Sequence, residues 1–232
     1  MTQPHDAAYK LLFSHPAMVA DLLKGYLARE WIGELDLSRL EAVSESHLSD
    51  DLRERRNDCI WRVPWHDPRG GAPTWLYIYL LLEFQSRNDD TMPVRMLTYL
   101  GLLYQDLLRA GEVTAASLPP VLPVILYNGP RRWTAPVQIA DLIPRFPAAL
   151  APYLPRLQYL FLDEGRMATS DLWEERNLAA AVFRIEQNGT VEGLQEVADA
   201  LDVWLDRDEQ ASLRRALETW ISQSVLPVRL RG

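Results

Sequence analysis

The chain has 232 residues with 48% hydrophobic and 24% charged content, the composition of one large or two small globular domains. Its single cysteine, Cys59, excludes an internal disulfide and a cysteine-built zinc or iron–sulfur centre; four scattered histidines argue against a histidine-dominated metal site. A net charge of −8 excludes a uniformly basic nucleic-acid binder and leaves a locally basic face as the way to meet phosphates.

Residues 5–29 predict helix, with apolar positions 8, 11, 12, 19, 22, 23 and 26–27 at helical spacing and a break at Pro16. Residues 41–46 read as a short strand, and the highly charged stretch 50–57 as a solvated turn. Residues 58–65 predict a strand, Asp67-Pro-Arg-Gly-Gly-Ala-Pro73 a loop, and 74–85, rich in Tyr, Trp, Ile and Leu, the strongest strand of the chain. A helix over 91–109 follows from the apolar set Met92, Met96, Leu97, Leu100, Leu103, Tyr104, Leu107 and Leu108, with Gly111 as its stop. Residues 121–127 predict a strand that Pro123 assigns to a sheet edge or to a late start, closed by the turn Asn128-Gly129-Pro130.

Prolines at 136, 144, 147, 152 and 155 mark a connection over 136–170 that holds one strand-like run, 157–162. Residues 172–186, 191–206 and 208–224 predict three helices. The expected organisation is an α/β core over 1–135, the proline-rich connection 136–170, and a C-terminal helical region 171–232 that serves packing, capping or interaction. The longest apolar run, 78–82, is far too short for a membrane span, so no membrane partner is expected. The opening Met-Thr-Gln-Pro-His-Asp lacks signal-peptide regions, and the expected location is the cytoplasm.

Two segments carry the chemistry. Asp58 opens one apolar strand and Glu83 nearly closes the other, 25 positions on. An unpaired buried carboxylate is costly, so each needs a reason to be there. One reason is a hard divalent cation, since Mg2+ takes oxygen ligands from one or two carboxylates, water and phosphate. If the two strands form a hairpin, Asp58 lies near Glu83 at one end. Period-two alternation puts Glu83 and Gln85 on one face with Tyr77 and Tyr79, and Leu80, Leu82 and Phe84 on the other, toward a core.

The structural alternative is equally concrete. Asp58 caps a turn, and Glu83 pairs with Arg62, Arg87 or Arg95. Pattern alone favours such an ion pair over a metal pair. Cys59 reads as a small buried apolar residue rather than a nucleophile. Asp6 and Lys10 stand one helical turn apart and read either as a local pair or as a further acid and a phosphate-reaching lysine. Arg95 and Tyr99 share a helical face, which turns toward the sheet end or closes a local salt bridge. Arginines cluster at 53, 55, 56, 62 and 69, at 87 and 95, and at 131 and 132, while the acidic excess lies from Asp163 onward. No glycine-rich phosphate loop is present.

The ordered motifs His5-Asp6-x-x-x-Lys10-Leu-Leu-Phe-Ser-His-Pro16, Asn57-Asp58, Leu82-Glu83-Phe84-Gln85-Ser86, Pro93-x-Arg95-Met-Leu-x-Tyr99 and Pro123-Val-Ile-Leu-Tyr127-Asn128-Gly129 with Trp133 resemble the recombination-promoting nucleases, the YhgA-like transposase family, within the PD-(D/E)XK nuclease superfamily. The likeness covers residues 5–135 well and the helical tail loosely. It implies a restriction-endonuclease-like fold: a central mixed sheet flanked by helices, with a C-terminal helical extension. It implies Mg2+-dependent endonucleolytic cleavage of DNA that promotes recombination, with Mn2+ as the alternative ion.

Residue by residue, the family's aspartate falls on Asp58 and its glutamate on Glu83. The superfamily lysine two places on is Gln85, as is common in the family. A glutamine orients water but supplies neither a positive charge nor a base. Lys10 or Arg95 is the substitute charge in this reading and Asp6 the additional metal carboxylate, with Arg56, Arg87 and Arg95 as phosphate or DNA contacts. The alternative function is a catalytically weak or inactive DNA-binding or protein-interaction module that keeps the fold. A third class is a homo-oligomeric interaction protein built on the helical tail.

Overall fold

A computed structural model describes residues 4–27, 29–43, 58–66, 74–83, 88–187 and 190–225, except the side chains of residues 4–6, 29, 58, 83 and 224. In chain order the elements are α1 (Pro4–Leu12), α2 (Pro16–Tyr26), α3 (Arg29–Ile32), β1 (Glu41–Ala42), β2 (Asp58–Trp65), β3 (Thr74–Glu83), α4 (Met92–Arg109), β4 (Val121–Tyr127), β5 (Leu160–Asp163), α5 (Ser170–Glu174), α6 (Leu178–Gln187), α7 (Val191–Trp204) and α8 (Ala211–Trp220). Short 3-10 turns at Ile139–Leu142 and Ala148–Tyr153 interrupt the stretch between β4 and β5.

The strands form one sheet in the order β1-β2-β3-β4-β5. β3 pairs in parallel with β4, and β4 with β5. β2 and β3 are sheet neighbours joined by only eight residues, 66–73, which is too few for a crossover, so they run antiparallel. The sheet is therefore mixed, and the fold is α/β, consistent with a restriction-endonuclease-like core.

Two elements differ instructively from the sequence reading. β3 is buried on both faces: Tyr77, Tyr79 and Leu81 are as enclosed as Ile78, Leu80 and Leu82. The tyrosine face is core because α4 covers it, and Tyr79 stacks on Tyr99 of α4 at 5.7 Å. β4 is an inner strand despite Pro123. The Pro120 carbonyl accepts from Tyr77 on β3 at 3.0 Å, so the nitrogen of Pro123 turns the other way, toward β5. Pairing with β5 begins only at Val124–Leu160, so the absent N–H interrupts no ladder bond.

The helix over Met92–Arg109 has the expected ends. Asp89 Oδ1 accepts from the Thr91 amide at 2.9 Å, and Pro93 fits the first turn. At the other end Gly111 adopts φ 71°; its N–H donates to Leu108 O and that of Glu112 to Leu107 O, a Schellman closure.

The chain separates into two compact units. Unit 1 comprises Met1–Ala42, Pro64–Pro73 and Glu164–Gly232; unit 2 comprises Val43–Val63 and Thr74–Asp163. These do not follow the three sequence segments 1–135, 136–170 and 171–232, because unit 1 draws its helices from both ends of the chain. Within it α1 packs on α8 and α2 on α6, with Tyr9 edge-on to Trp220 at 6.3 Å. Gly25 of α2 lets α5 approach: a Cβ there would lie 2.9 Å from Leu172 Cδ1.

Unit 1 also buries polar groups and ties several of them internally. Glu164 is 1% exposed and accepts from the Tyr9 hydroxyl, while its carbonyl accepts from Gln187 Nε2 at 2.5 Å. Burial pushes the Tyr26 phenol well above its ordinary range, and the charge of Glu164 pushes the same way. Asn177 caps α6 by accepting from the Ala180 amide at 2.9 Å and donates to the Asp21 carbonyl at 2.8 Å, while Asp21 Oδ2 accepts from the Leu178 amide at 2.8 Å.

Candidate active site

Parallel strands expose one distinctive edge, where their carboxyl ends finish together and where open α/β sheets bind ligands. In unit 2 this edge is set by register. Glu83 of β3 lies opposite Tyr127 of β4, and Tyr127 opposite Asp163 of β5. β2 runs the other way, so its first residue, Asp58, belongs to the same edge as the last residue of β3. The backbone thus brings positions 58 and 83 to one end of two neighbouring strands. Their side chains lie outside the described structure, as do Arg56, Gln85 and Arg87 entirely.

Arg95 stands on the first turn of α4, next along the same edge. Its guanidinium pairs with Asp89 Oδ2 at 2.6 Å, and its Nε donates to the Tyr99 hydroxyl at 3.0 Å. Burial raises the Asp89 carboxyl, but hydrogen bonds from Thr91 and Arg95 outweigh it and hold the group below its ordinary range. Arg95 is thus already engaged in a local ion pair that fixes the start of α4. Asp6 and Lys10 lie on α1, in unit 1. Cys59 is half-buried, more open than its apolar reading implied.

The sequence reading passed over Asp163 and the polar role of Asn128. Asp163 is half-buried at the end of β5, and Asn128, directly after β4, keeps a buried Nδ2 with no hydrogen-bond acceptor among the described residues. Their signal is topological: each sits at the end of a strand now known to run parallel to its neighbour. The turn after β4 is tightly built. The Tyr127 hydroxyl donates to Arg131 O at 2.8 Å, and its ring lies so close to Gly129 that a Cβ there would collide with the phenol oxygen. Trp133 packs edge-on to Tyr127 at 5.0 Å, and Asn88 donates to Thr134.

At the opposite, amino edge a cavity of about 290 Å³ is lined by Arg62, Trp75, Tyr77 and Glu112 among others. There Arg62 sits 4.6 Å from the Trp75 ring centre and 3.2 Å from Glu112. This cavity has a single carboxylate, already in an ion pair, and lacks the donor set of a hard cation. Among the described residues no three His, Cys, Asp or Glu side chains gather as a metal site. The carboxyl edge differs in residue type: it carries acidic residues at 58 and 83, and carboxylate oxygens are the donors a hard cation such as Mg2+ takes.

The mixed sheet flanked by helices defines an α/β protein consistent with a restriction-endonuclease-like core. Residues 3–212 match the family model described as "Putative transposase, YhgA-like", and the chain belongs to that family. It is 35% identical over 126 residues to recombination-promoting nuclease RpnA of Escherichia coli strain K12, covering 54% of this chain and 40% of the relative. It is 30% identical over 128 residues to recombination-promoting nuclease RpnD of Escherichia coli O157:H7, covering 55% and 46%. It is 27% identical over 128 residues to the inactive recombination-promoting nuclease-like protein RpnE of strain K12, covering 55% and 40%. The matches thus span less than half the length of these relatives. No solved structure matches. No helix among the described residues is long and apolar enough to cross a membrane.

Proposed function

We propose that the chain is a Mg2+-dependent DNA endonuclease acting in recombination, with Asp58 and Glu83 as the metal-holding pair. The observation that carries this reading is the meeting of positions 58 and 83 at one edge of adjacent antiparallel strands. The names of RpnA and RpnD support the nuclease class. The two carboxylates would hold the cation through their oxygens. When bound, the ion polarises the scissile phosphate and lowers the pKa of its water. Gln85, two residues beyond Glu83 in sequence, would orient a water through its amide but could take no proton from it.

A second reading is a DNA-binding or protein-interaction module without catalysis. RpnE, whose name calls it inactive, and the glutamine at 85 favour it. One experiment separates the two. On the nuclease reading, purified wild type is expected to nick supercoiled plasmid in Mg2+, and Asp58→Ala and Glu83→Ala are each expected to lose that activity while keeping the wild-type circular dichroism spectrum. Equal nicking by all three proteins would sink the site. Retarded migration of the plasmid without nicking, in wild type as in the variants, selects the module.

A further inference from the structure

We propose that residues 130–156, between β4 and β5, form the surface on which this protein holds single-stranded DNA. The inference rests on the nuclease reading. The stretch contains Arg131, Arg132, Arg145 and Arg156 against one acid, Asp141, and no lysine or glutamate. In a chain of net charge −8 this is a local reversal of sign. All four arginines are exposed. Two aromatic side chains stand open among them, Tyr153 at 83% and Phe146 at 41% exposure. Exposed arginines interleaved with exposed aromatic rings are what a single strand requires: cations for its phosphates and flat faces for unpaired bases. A duplex keeps its bases stacked inside and gives such rings nothing to cover.

The stretch is proline-rich yet firmly tied. Arg131 is pinned by the Tyr127 hydroxyl at 2.8 Å. Tyr159 donates to Pro136 O at 2.6 Å, and burial pushes its phenol up to about 12, so it stays protonated as a donor. The Ile139 amide donates to Leu157 O at 3.0 Å and the Tyr159 amide to Val137 O at 3.1 Å, closing the base of a loop whose tip is 140–156. Asp141 is itself engaged, accepting from Gln138 at 2.8 Å. The geometry also gives direction. Arg131 and Arg132 follow Tyr127, the register partner of Glu83, so the cationic path starts at the edge that carries the acidic pair. The chain then returns to the start of β5, opposite Val124.

The test uses full-length protein in the Asp58→Ala background, with a fluorescent twenty-residue oligothymidine and a hairpin duplex as probes, read by anisotropy across a salt series. Arg131→Glu with Arg132→Glu, and Arg145→Glu with Arg156→Glu, are each expected to weaken oligothymidine binding by about tenfold or more. Each pair is also expected to flatten the salt slope by roughly 0.7 for every phosphate no longer neutralised. Tyr153→Ala with Phe146→Ala is expected to weaken oligothymidine binding about fivefold or more and to spare the duplex. Arg166→Glu with Arg207→Glu, exposed arginines of unit 1, is the charge control. If both arginine pairs behave like that control, the surface is wrong and the nuclease reading stands. If the aromatic pair weakens duplex and single strand alike, the single-strand assignment is wrong. If the parent protein binds neither probe, the surface is overturned, and the plasmid-nicking assay decides separately whether the nuclease reading falls with it.

Discussion

The two units divide the labour of the chain by charge. Unit 1 has 13 Lys and Arg against 20 Asp and Glu, whereas unit 2 has 11 arginines against 12 acids. Nearly all of the net charge of −8 therefore belongs to the helical unit, and the sheet unit is close to neutral. A composition-level objection to nucleic-acid binding dissolves at this level, because screening confines surface charges to about a Debye length. Unit 1 uses its polar groups on its own helix ends and buried contacts. Unit 2 arrays its polar groups along one sheet edge and one exposed loop.

The largest expected effect lies at that edge. Asp58→Ala or Glu83→Ala lowers plasmid nicking on the order of a hundredfold or more, while Asp202→Asn with Glu209→Gln on unit 1 changes it less than about twofold at physiological salt. A large effect of the second pair would break the division. Trp220→Ala probes the other side. Its ring is fully buried against Tyr9, so its loss costs about 3–5 kcal/mol of stability in chemical unfolding.

Asn177→Ala removes both the cap of α6 and the bond to Asp21. A loss of about 1–3 kcal/mol is expected by the same measurement. In unit 2, Gly129→Ala drives a methyl group into Tyr127; overpacking of this kind costs about 1–3 kcal/mol, and here it also displaces the turn that carries Arg131.

The smallest effects are in pH dependence, and the two units differ in sign. Burial raises the Asp21 carboxyl of unit 1, against the lowering effects of the Leu178 amide and Lys24. The folded state therefore takes up a proton before the unfolded chain as pH falls, and the contribution of Asp21 to stability declines as pH rises through its raised pKa. Asp89 in unit 2 is lowered, burial being outweighed by Thr91 and Arg95. Its contribution is complete above the ordinary carboxylate range and is lost as pH falls through its lowered pKa. NMR titration of the two carboxyl carbons checks this, and shifts of the same sign would break the comparison.

Local patterns were readable because their causes are local. The helix over 92–109 was announced by its apolar spacing and by Gly111, and β2 by its run of apolar residues. Pro123 misled because an edge is a property of each side of a strand at each residue, and only the stagger of β5 reveals which side is bare. Burial of the Tyr77–Tyr79 face needed α4 laid across it, which period-two alternation does not report. The acidic residues at 58 and 83 were visible as motif members, but their common edge depended on β2 and β3 being neighbours. The prolines of 136–155 marked a connection, and the structure places two short 3-10 turns in it. They gave no sign that Tyr159 and the 137–159 pairing would fix the loop's base.

The packing of α1 on α8 imposes an order in time. Tyr9 finds Glu164 only after a further 155 residues have been made. At about 5–20 residues per second this is a delay on the order of ten seconds. β2, β3 and β4 are complete once residue 127 has left the ribosome, so the sheet can assemble while the apolar side of α1 still lacks its cover. α1 is made well before its cover, and until α8 arrives its apolar side is the natural handle for a chaperone.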